Sequence, residues 1–221
     1  MPWIFPEPDE SGLVGIGADL APETLLAAYR QGVFPWPHDG LDATPWFSPD
    51  PRAVIVGRPH VSRSLRRRIA SCGSTTTLDT AFAEVVDGCR TRAAGTWISD
   101  ELAAAFGGLH RQGAAHSVEV WDGDSLAGGI YGVLVGGVFT GESMFHRTTD
   151  ASKIALAELC RRLAEAGGSA VDVQLATPHL ASLGAREISR AAFLALLRAE
   201  RDRAVRLDSS RQHASRLLEP W

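Results

Sequence analysis

The chain has 221 residues, 45% of them hydrophobic, enough for one large domain or for an ordinary domain with a small lobe beside it. Its formal net charge of −4 supplies no global positive field to draw it to nucleic acid, so any such binding has to rest on a local patch. Cys72, Cys89 and Cys160 are scattered, with neither C-x-x-C nor His spacing, which argues against a disulfide framework and a zinc site; no metal is expected. No run approaches membrane-spanning length, and the opening MPWIFPEPDESG lacks a basic region followed by an apolar stretch, so the expected setting is cytoplasmic with no membrane partner.

The first predicted element is a helix over residues 23–31, started by Pro22 and stopped by Gly32. Phe34-Pro35-Trp36-Pro37 and Pro45-Trp46-Phe47-Ser48-Pro49-Asp50-Pro51-Arg52 then hold too many prolines for a helix or a central strand. This irregular stretch sets the expected division into a small N-terminal lobe, residues 1–50, and a larger domain, residues 51–221. Just beyond it, Arg63, Arg66 and Arg67 fall at i, i+3 and i+4 on one helical face. That patch suits phosphates, although from charge alone a solvated surface helix is the commoner explanation.

Asp79 is placed to cap a helix carrying Phe82, Val85, Val86 and Cys89 on one face, and Ser99 to cap another carrying Leu102, Phe106 and Leu109. Residues 116–121 alternate before the turn Asp122-Gly123-Asp124, and 126–134 and 138–145 meet across Gly136-Gly137, which predicts an antiparallel meander. Asp150 or Ser152 opens a helix with Ile154, Leu156, Leu159, Cys160 and Leu163 inside and Gly167-Gly168 at its end. A strand over 170–175 and a helix near 190–200 complete the order. Strands followed by helix and strand predict an α+β fold, a mixed sheet covered by helices.

Polar chemistry sits on two of these apolar strands. In 170–175 the period of two puts Asp172 and Gln174 on one face and Val171, Val173 and Leu175 on the other. An acid and an amide pointing together suit orienting an amine as it attacks a carbonyl. A structural Asp bonded to a neighbouring loop, with Gln174 facing water, fits the same pattern. Glu142 lies in the otherwise apolar or small run Gly141-Glu142-Ser143-Met144-Phe145, where burial demands a partner. Ile130, Phe139, Met144 and Leu156 are able to build an apolar pocket beside it, or plain core. Trp36 and Trp97 fall in loop-like settings, where an indole stacks on a nucleobase or covers core. His179 and Ser182 lack the G-x-S-x-G elbow and a third member, so no hydrolase triad is read here.

Taken in order, Ala28-Tyr29-Arg30-Gln31-Gly32-Val33-Phe34-Pro35-Trp36, Trp46 through Arg52, Gly95-Thr96-Trp97-Ile98, Ala115 through Trp121, Gly128-Gly129-Ile130-Tyr131-Gly132, Gly141 through Phe145, Ala151-Ser152-Lys153, Asp172-Val173-Gln174 and His179 through Gly184 are far more specific than any one alone. The sequence resembles the leucyl/phenylalanyl-tRNA-protein transferase family over about residues 15 to 200. The resemblance implies a GNAT-type C-terminal domain. It also implies transfer of Leu, Phe or Met from aminoacyl-tRNA to proteins with an N-terminal Arg or Lys, marking them for degradation, without a cofactor. Carried over, Asp172, Gln174 and Glu142 form the catalytic group. Trp36 and Trp97 hold the 3′-terminal aminoacyl-adenosine, and Ile130, Phe139, Met144, Leu156, Leu163 and Val171 line the amino-acid pocket. Tyr29 and Ser182 join the substrate-binding set, and Arg63, Arg66 and Arg67 meet tRNA phosphates. Trp46-Phe47 stands where two tryptophans often occur, Phe106 replaces a frequent tyrosine, and Thr177-Pro178 replaces a polar pair before His179.

Two rival readings follow from the residues. A CoA-dependent N-acetyltransferase of the same fold needs a pyrophosphate loop, and Arg92-Ala93-Ala94-Gly95-Thr96-Trp97 is the nearest candidate, with bulky Trp97 where a small residue belongs. A noncatalytic tRNA-binding protein would use the arginine helix and exposed tryptophans alone.

Overall fold

The computed structural model describes residues 4–38, 40–91 and 95–221, so residues 92–94 of the candidate pyrophosphate loop lie outside the described residues. A three-stranded antiparallel sheet is built from Leu13–Ile16 (β1), Phe34–Pro35 (β2) and Pro45–Phe47 (β3) in the order β1-β3-β2. Helix α1 (Pro22–Tyr29) precedes β2, with proline in its first turn where the missing N–H costs nothing. Gly32 follows at φ +75°, and a Cβ there would lie 2.5 Å from the Leu194 side chain, so both the backbone conformation and the close approach demand glycine.

From Arg52 onward an eight-stranded sheet forms from Arg52–Val56 (β4), Thr75–Leu78 (β5), Ala115–Asp122 (β6), Ser125–Val135 (β7), Val138–His146 (β8), Ala170–Gln174 (β9), Arg186–Ile188 (β10) and Gln212–His213 (β11). Its order is β10-β4-β9-β8-β7-β6-β5-β11. The expected meander is β6, β7 and β8, antiparallel neighbours along most of their length. The pair β8 and β9 is parallel, and the crossover it requires is α5 (Ala151–Glu165). The sheet is therefore mixed, as the element order predicts. Arg52, read from sequence as the end of an irregular proline-rich stretch, instead opens β4, an interior strand between β10 and β9.

Helices cover both faces. On one side α3 (Phe82–Arg90), α4 (Asp100–Arg111) and α7 (Arg190–Glu200) share a core with the small lobe. There Leu25, Tyr29, Phe34 and Trp46 pack into the same cluster as Tyr131, Val133 and Phe145. On the other, α5, α2 (Arg63–Ser71) and the C-terminal turn Ala214–Leu218 bury Ile55, Val118, Ile130, Phe139 and Val171. Ser99 caps α4 as expected, its hydroxyl accepting the Leu102 N–H. Asp79 does not cap α3. It adopts φ +59° and turns its carboxylate to Ser117 N–H and His116, while Glu119 from β6 lies 3.4 Å from the Thr80 amide nitrogen and 3.5 Å from that of Ala81. Neither Asp150 nor Ser152 caps α5: Asp150, at φ +68°, forms no capping bond and pairs with Lys153.

Candidate active site

Two β-bulges build the site. Tyr131 pairs with Ser143 and Gly132 with Gly141, so Glu142 is an extra residue in β8. On the neighbouring strand Val54 pairs with Asp172 and Ala53 with Gln174, leaving Val173 extra in β9. Gly132 makes the first bulge feasible, since a Cβ there would sit 2.0 Å from the Thr140 carbonyl oxygen. The parallel ladder between β8 and β9 covers only residues 138–140 and 170–172, and beyond it the strands part. A cavity of about 200 Å³ opens at the fork, with Glu142, Ser143, Met144, Val173 and Gln174 on its strand side. Trp97, Ile130, Leu156 and Leu180 supply most of the rest of its wall.

Asp172 is not in that wall. It is fully buried, and Arg52 grips it through two bonds, Nε to Oδ1 at 2.8 Å and a terminal guanidinium nitrogen to Oδ2 at 2.6 Å. The Thr140 hydroxyl donates to Oδ2 at 3.2 Å and the Gln174 backbone N–H to Oδ1 at 2.9 Å. Arg52 also donates to the Gly32 carbonyl at 3.1 Å, and its guanidinium carbon lies 4.8 Å from the Phe34 ring centroid and 4.4 Å from that of Phe193. The shared face expected from the two-residue period is interrupted by the Val173 bulge and by Gln174 itself, at φ +63°. Asp172 points to the buried arginine while Gln174 lines the cavity. The two are joined through the Gln174 main chain, not through its side-chain amide.

The Gln174 amide nitrogen donates instead to Glu142 Oε1 at 3.0 Å. Glu142 is 7% exposed, and its other oxygen, Oε2, has no hydrogen-bond partner among the described residues. The buried Tyr29 hydroxyl interacts with this carboxylate without reaching hydrogen-bond geometry. Burial, the largest cause, pushes the Glu142 carboxyl up to about 8, with Asp172 adding repulsion against the opposing pull of Tyr29, Arg52 and Gln174. Burial and then the Glu142 charge hold the Tyr29 hydroxyl well above its ordinary range.

Of the expected pocket residues, Ile130, Met144 and Leu156 line the cavity, whereas Phe139, Leu163 and Val171 sit deeper in the core behind it. Sequence reasoning left out Val173, Leu180 and Ser143 as lining residues; strict alternation sets Val173 opposite Gln174, and it takes the β9 bulge to bring both to the cavity. It also gave no role to Arg52, whose partner is 120 positions away. Trp97 lines this cavity and a second one of about 710 Å³, which Trp36, His38, Leu41 and Thr44 help to enclose. Trp36 is partly held in place by Phe47, an edge contact at 5.6 Å between centroids. Ser182 lies elsewhere, exposed at the end of a short helix α6 (Pro178–Ser182), its hydroxyl donating to the His179 carbonyl. On α2, Leu65 and Ile69 face the core and Arg63, Arg66 and Arg67 are exposed, with no ion pair among the described residues.

The family model described as leucyl/phenylalanyl-tRNA protein transferase matches residues 54–198, and the model for the N-terminal domain of the same transferase matches residues 18–50. The chain belongs to this family. A protein of Shewanella baltica (strain OS185) named leucyl/phenylalanyl-tRNA–protein transferase is 47% identical over 210 residues, covering 91% of this chain and 88% of its own. A protein of the same name from Chromohalobacter salexigens is 51% identical over 211 residues, covering 88% and 81%. Among solved structures, that of L-PGS from Bacillus licheniformis superposes with a TM-score of 0.38 at 12% identity, over 71% of this chain and 51% of that one. Trp36 and Tyr29 lie in the small lobe, whereas Glu142, the extra residue of the β8 bulge, and Gln174, next to the β9 bulge at Val173, lie on the large sheet.

Proposed function

We propose that the protein moves Leu, Phe or Met from its tRNA to the α-amine of a protein whose first residue is Arg or Lys, marking that protein for degradation in the cytoplasm. The observation that carries this reading is the pair Glu142 and Gln174 on the wall of an apolar cavity, which Trp97 connects to the larger recess bearing Trp36. The side chain being transferred enters the apolar cavity, and the adenosine to which it is esterified lies between the two indoles. The parting of β8 from β9 supports a GNAT-type assignment for the large sheet.

An aminoacyl ester carries its own activation, so the residues need to place the amine and hold the developing oxyanion. The amine nitrogen attacks the ester carbonyl carbon, the C–N bond forms, the bond from that carbon to the ribose oxygen breaks, and a proton passes from nitrogen to the departing oxygen. With its amide nitrogen committed to Glu142, Gln174 has its carbonyl oxygen left to accept a hydrogen bond from the incoming amine. Glu142, short of a partner on Oε2, receives the cationic side chain of the acceptor, and that charge favours its ionised form. Asp172, enclosed by Arg52 and Thr140, is a positioning residue: it accepts the Gln174 N–H and so fixes the left-handed turn from which the Gln174 side chain reaches Glu142. Transfer of labelled Phe or Leu from charged tRNA to a peptide beginning with Arg tests the reading. Acetylation by acetyl-CoA with no transfer from tRNA, or tRNA binding with no product, overturns it.

A further inference from the structure

A third cavity, of about 420 Å³, has no part in the proposal above; His60, Ser62, Leu65, Lys153, Ser182 and Leu183 account for most of its lining. It adjoins the acyl cavity across α6, since Leu180 lines the one and Ser182 and Leu183 the other. On α5, Leu156 faces the acyl cavity and Lys153, one turn earlier, faces this one. On α2, Leu65 forms its wall while Arg63, Arg66 and Arg67 of the same helix are exposed. Trp97 is thus common to the tryptophan recess and the acyl cavity, α6 stands between the acyl cavity and the third, and the arginine helix supplies a wall of the third.

We propose that this cavity seats the nucleotide immediately 5′ of the aminoacylated adenosine, with Lys153 on its phosphate. The inference rests on the tRNA reading above and deepens it. A donor whose terminal adenosine lies at Trp36 and Trp97 and whose stem reaches α2 has to cross this ground with its single-stranded end. The local charge suits that passage. Lys153 Nζ is held 2.7 Å from Asp150 Oδ1, and that single bond leaves its other N–H donors for a phosphate oxygen. An ammonium with donors to spare makes a charge-assisted contact with a phosphate. The hydroxyls suit a base or a ribose. Ser62 Oγ accepts the Leu65 N–H at 3.2 Å and Ser182 Oγ donates to His179 O at 2.6 Å, so the fixed Ser182 oxygen presents lone pairs to donors such as an exocyclic amine or a 2′-hydroxyl. The walls are tied together: the His60 N–H bonds the Leu183 carbonyl at 2.9 Å, and Gly184, at φ +98°, comes so near that a Cβ would be 3.2 Å from the His60 nitrogen.

The test compares two synthetic donors, 3′-O-phenylalanyl-adenosine and the same ester on cytidylyl-adenosine, with an Arg-initiated peptide as acceptor. The added nucleotide is expected to raise kcat/KM about tenfold or more, the size of one charge-assisted contact. Lys153→Met should erase most of that ratio and Lys153→Arg should keep it. A general defect in folding lowers both donors together and leaves the ratio standing, which counts against the proposal, as does a wild-type ratio near one. Should Lys153→Met fail to fold, the wild-type ratio together with His60→Ala, whose main-chain bond survives, decides in the same way. Failure of wild-type protein with both donors and with charged tRNA overturns the transferase reading itself, whereas transfer from the adenosine ester without gain from the dinucleotide overturns only the nucleotide seat.

Discussion

Glu142 is a residue whose ionisation the fold disturbs strongly. Its carboxyl rises from the ordinary 4.5 to about 8 because burial strips its hydration, with repulsion from Asp172 adding to the effect. The sign follows from proton binding: between about pH 4.5 and 8 the folded chain holds more of this proton than the unfolded chain, so stability falls as pH rises through that window. Glu142→Gln, which fits the same space and stays neutral, should flatten the slope and stabilise the protein at pH 8 by a few kcal/mol, of order the raised pKa at about 1.4 kcal/mol per unit. Urea denaturation at pH 5 and pH 8 measures this; an unchanged pH slope in the variant would show that another group carries the effect. Transfer to an Arg-initiated peptide should fall in the same variant about tenfold or more, mainly through the acceptor KM, because an amide cannot pair with a cationic acceptor.

Arg52 and Asp172 act between elements. The pair joins β4 to β9, and through Gly32, Phe34 and Phe193 it also ties in the small lobe and α7. Asp172→Leu or Arg52→Met alone leaves a buried unpaired charge and should cost about 3–5 kcal/mol, whereas the double variant should regain most of it. Denaturation of the four proteins in the cycle reads the coupling directly. Activity should not return with stability, since the Gln174 N–H still lacks the acceptor that fixes its turn. A general-base role for Asp172 would show differently, as an Asp172→Asn rate that climbs with hydroxide where the wild type is flat. The meander, the crossover helix and strand 170–174 are legible in the sequence because each repeats its apolar period over several residues. The bulges are not, because a single inserted residue reverses side-chain direction with no compositional mark, and it takes the neighbouring strand to reveal the insertion. For the same reason Asp172 and Gln174 could be placed on one strand from sequence, but not the inward turn of the first or the outward turn of the second. Arg52 carries no local signal at all, its partner being supplied by topology. Apolar character placed Phe139 near the pocket and the family resemblance added Leu163 and Val171; neither signal distinguishes a wall from the layer behind it.

At the scale of the whole molecule the electrostatic problem is how a chain of net charge −4 holds a polyanion. Most of its arginines with strong contacts are spent internally: Arg52 on Asp172, Arg162 on Glu158, Arg161 and Arg216 on Glu165, Arg30 on Asp202. Arg63, Arg66 and Arg67 differ, being exposed on one face of α2 and free of carboxylate partners among the described residues. An exposed cation with no carboxylate partner displaces a condensed counterion when it binds a phosphate. Each phosphate so neutralised adds about 0.7 to 0.9 to the slope of log K against log salt. Arg66→Ala/Arg67→Ala should therefore weaken charged-tRNA binding and reduce that slope by about 1.4 to 1.8, measured by titration over a series of salt concentrations. Both side chains project into solvent, so stability should move by less than about 0.5 kcal/mol for each change. The preference for charged tRNA over a short adenosine ester should shrink in parallel with the slope. A slope that survives the double change would place the phosphate contacts elsewhere, and equal losses with both donors would mean that α2 supports the fold of the site instead of meeting the stem.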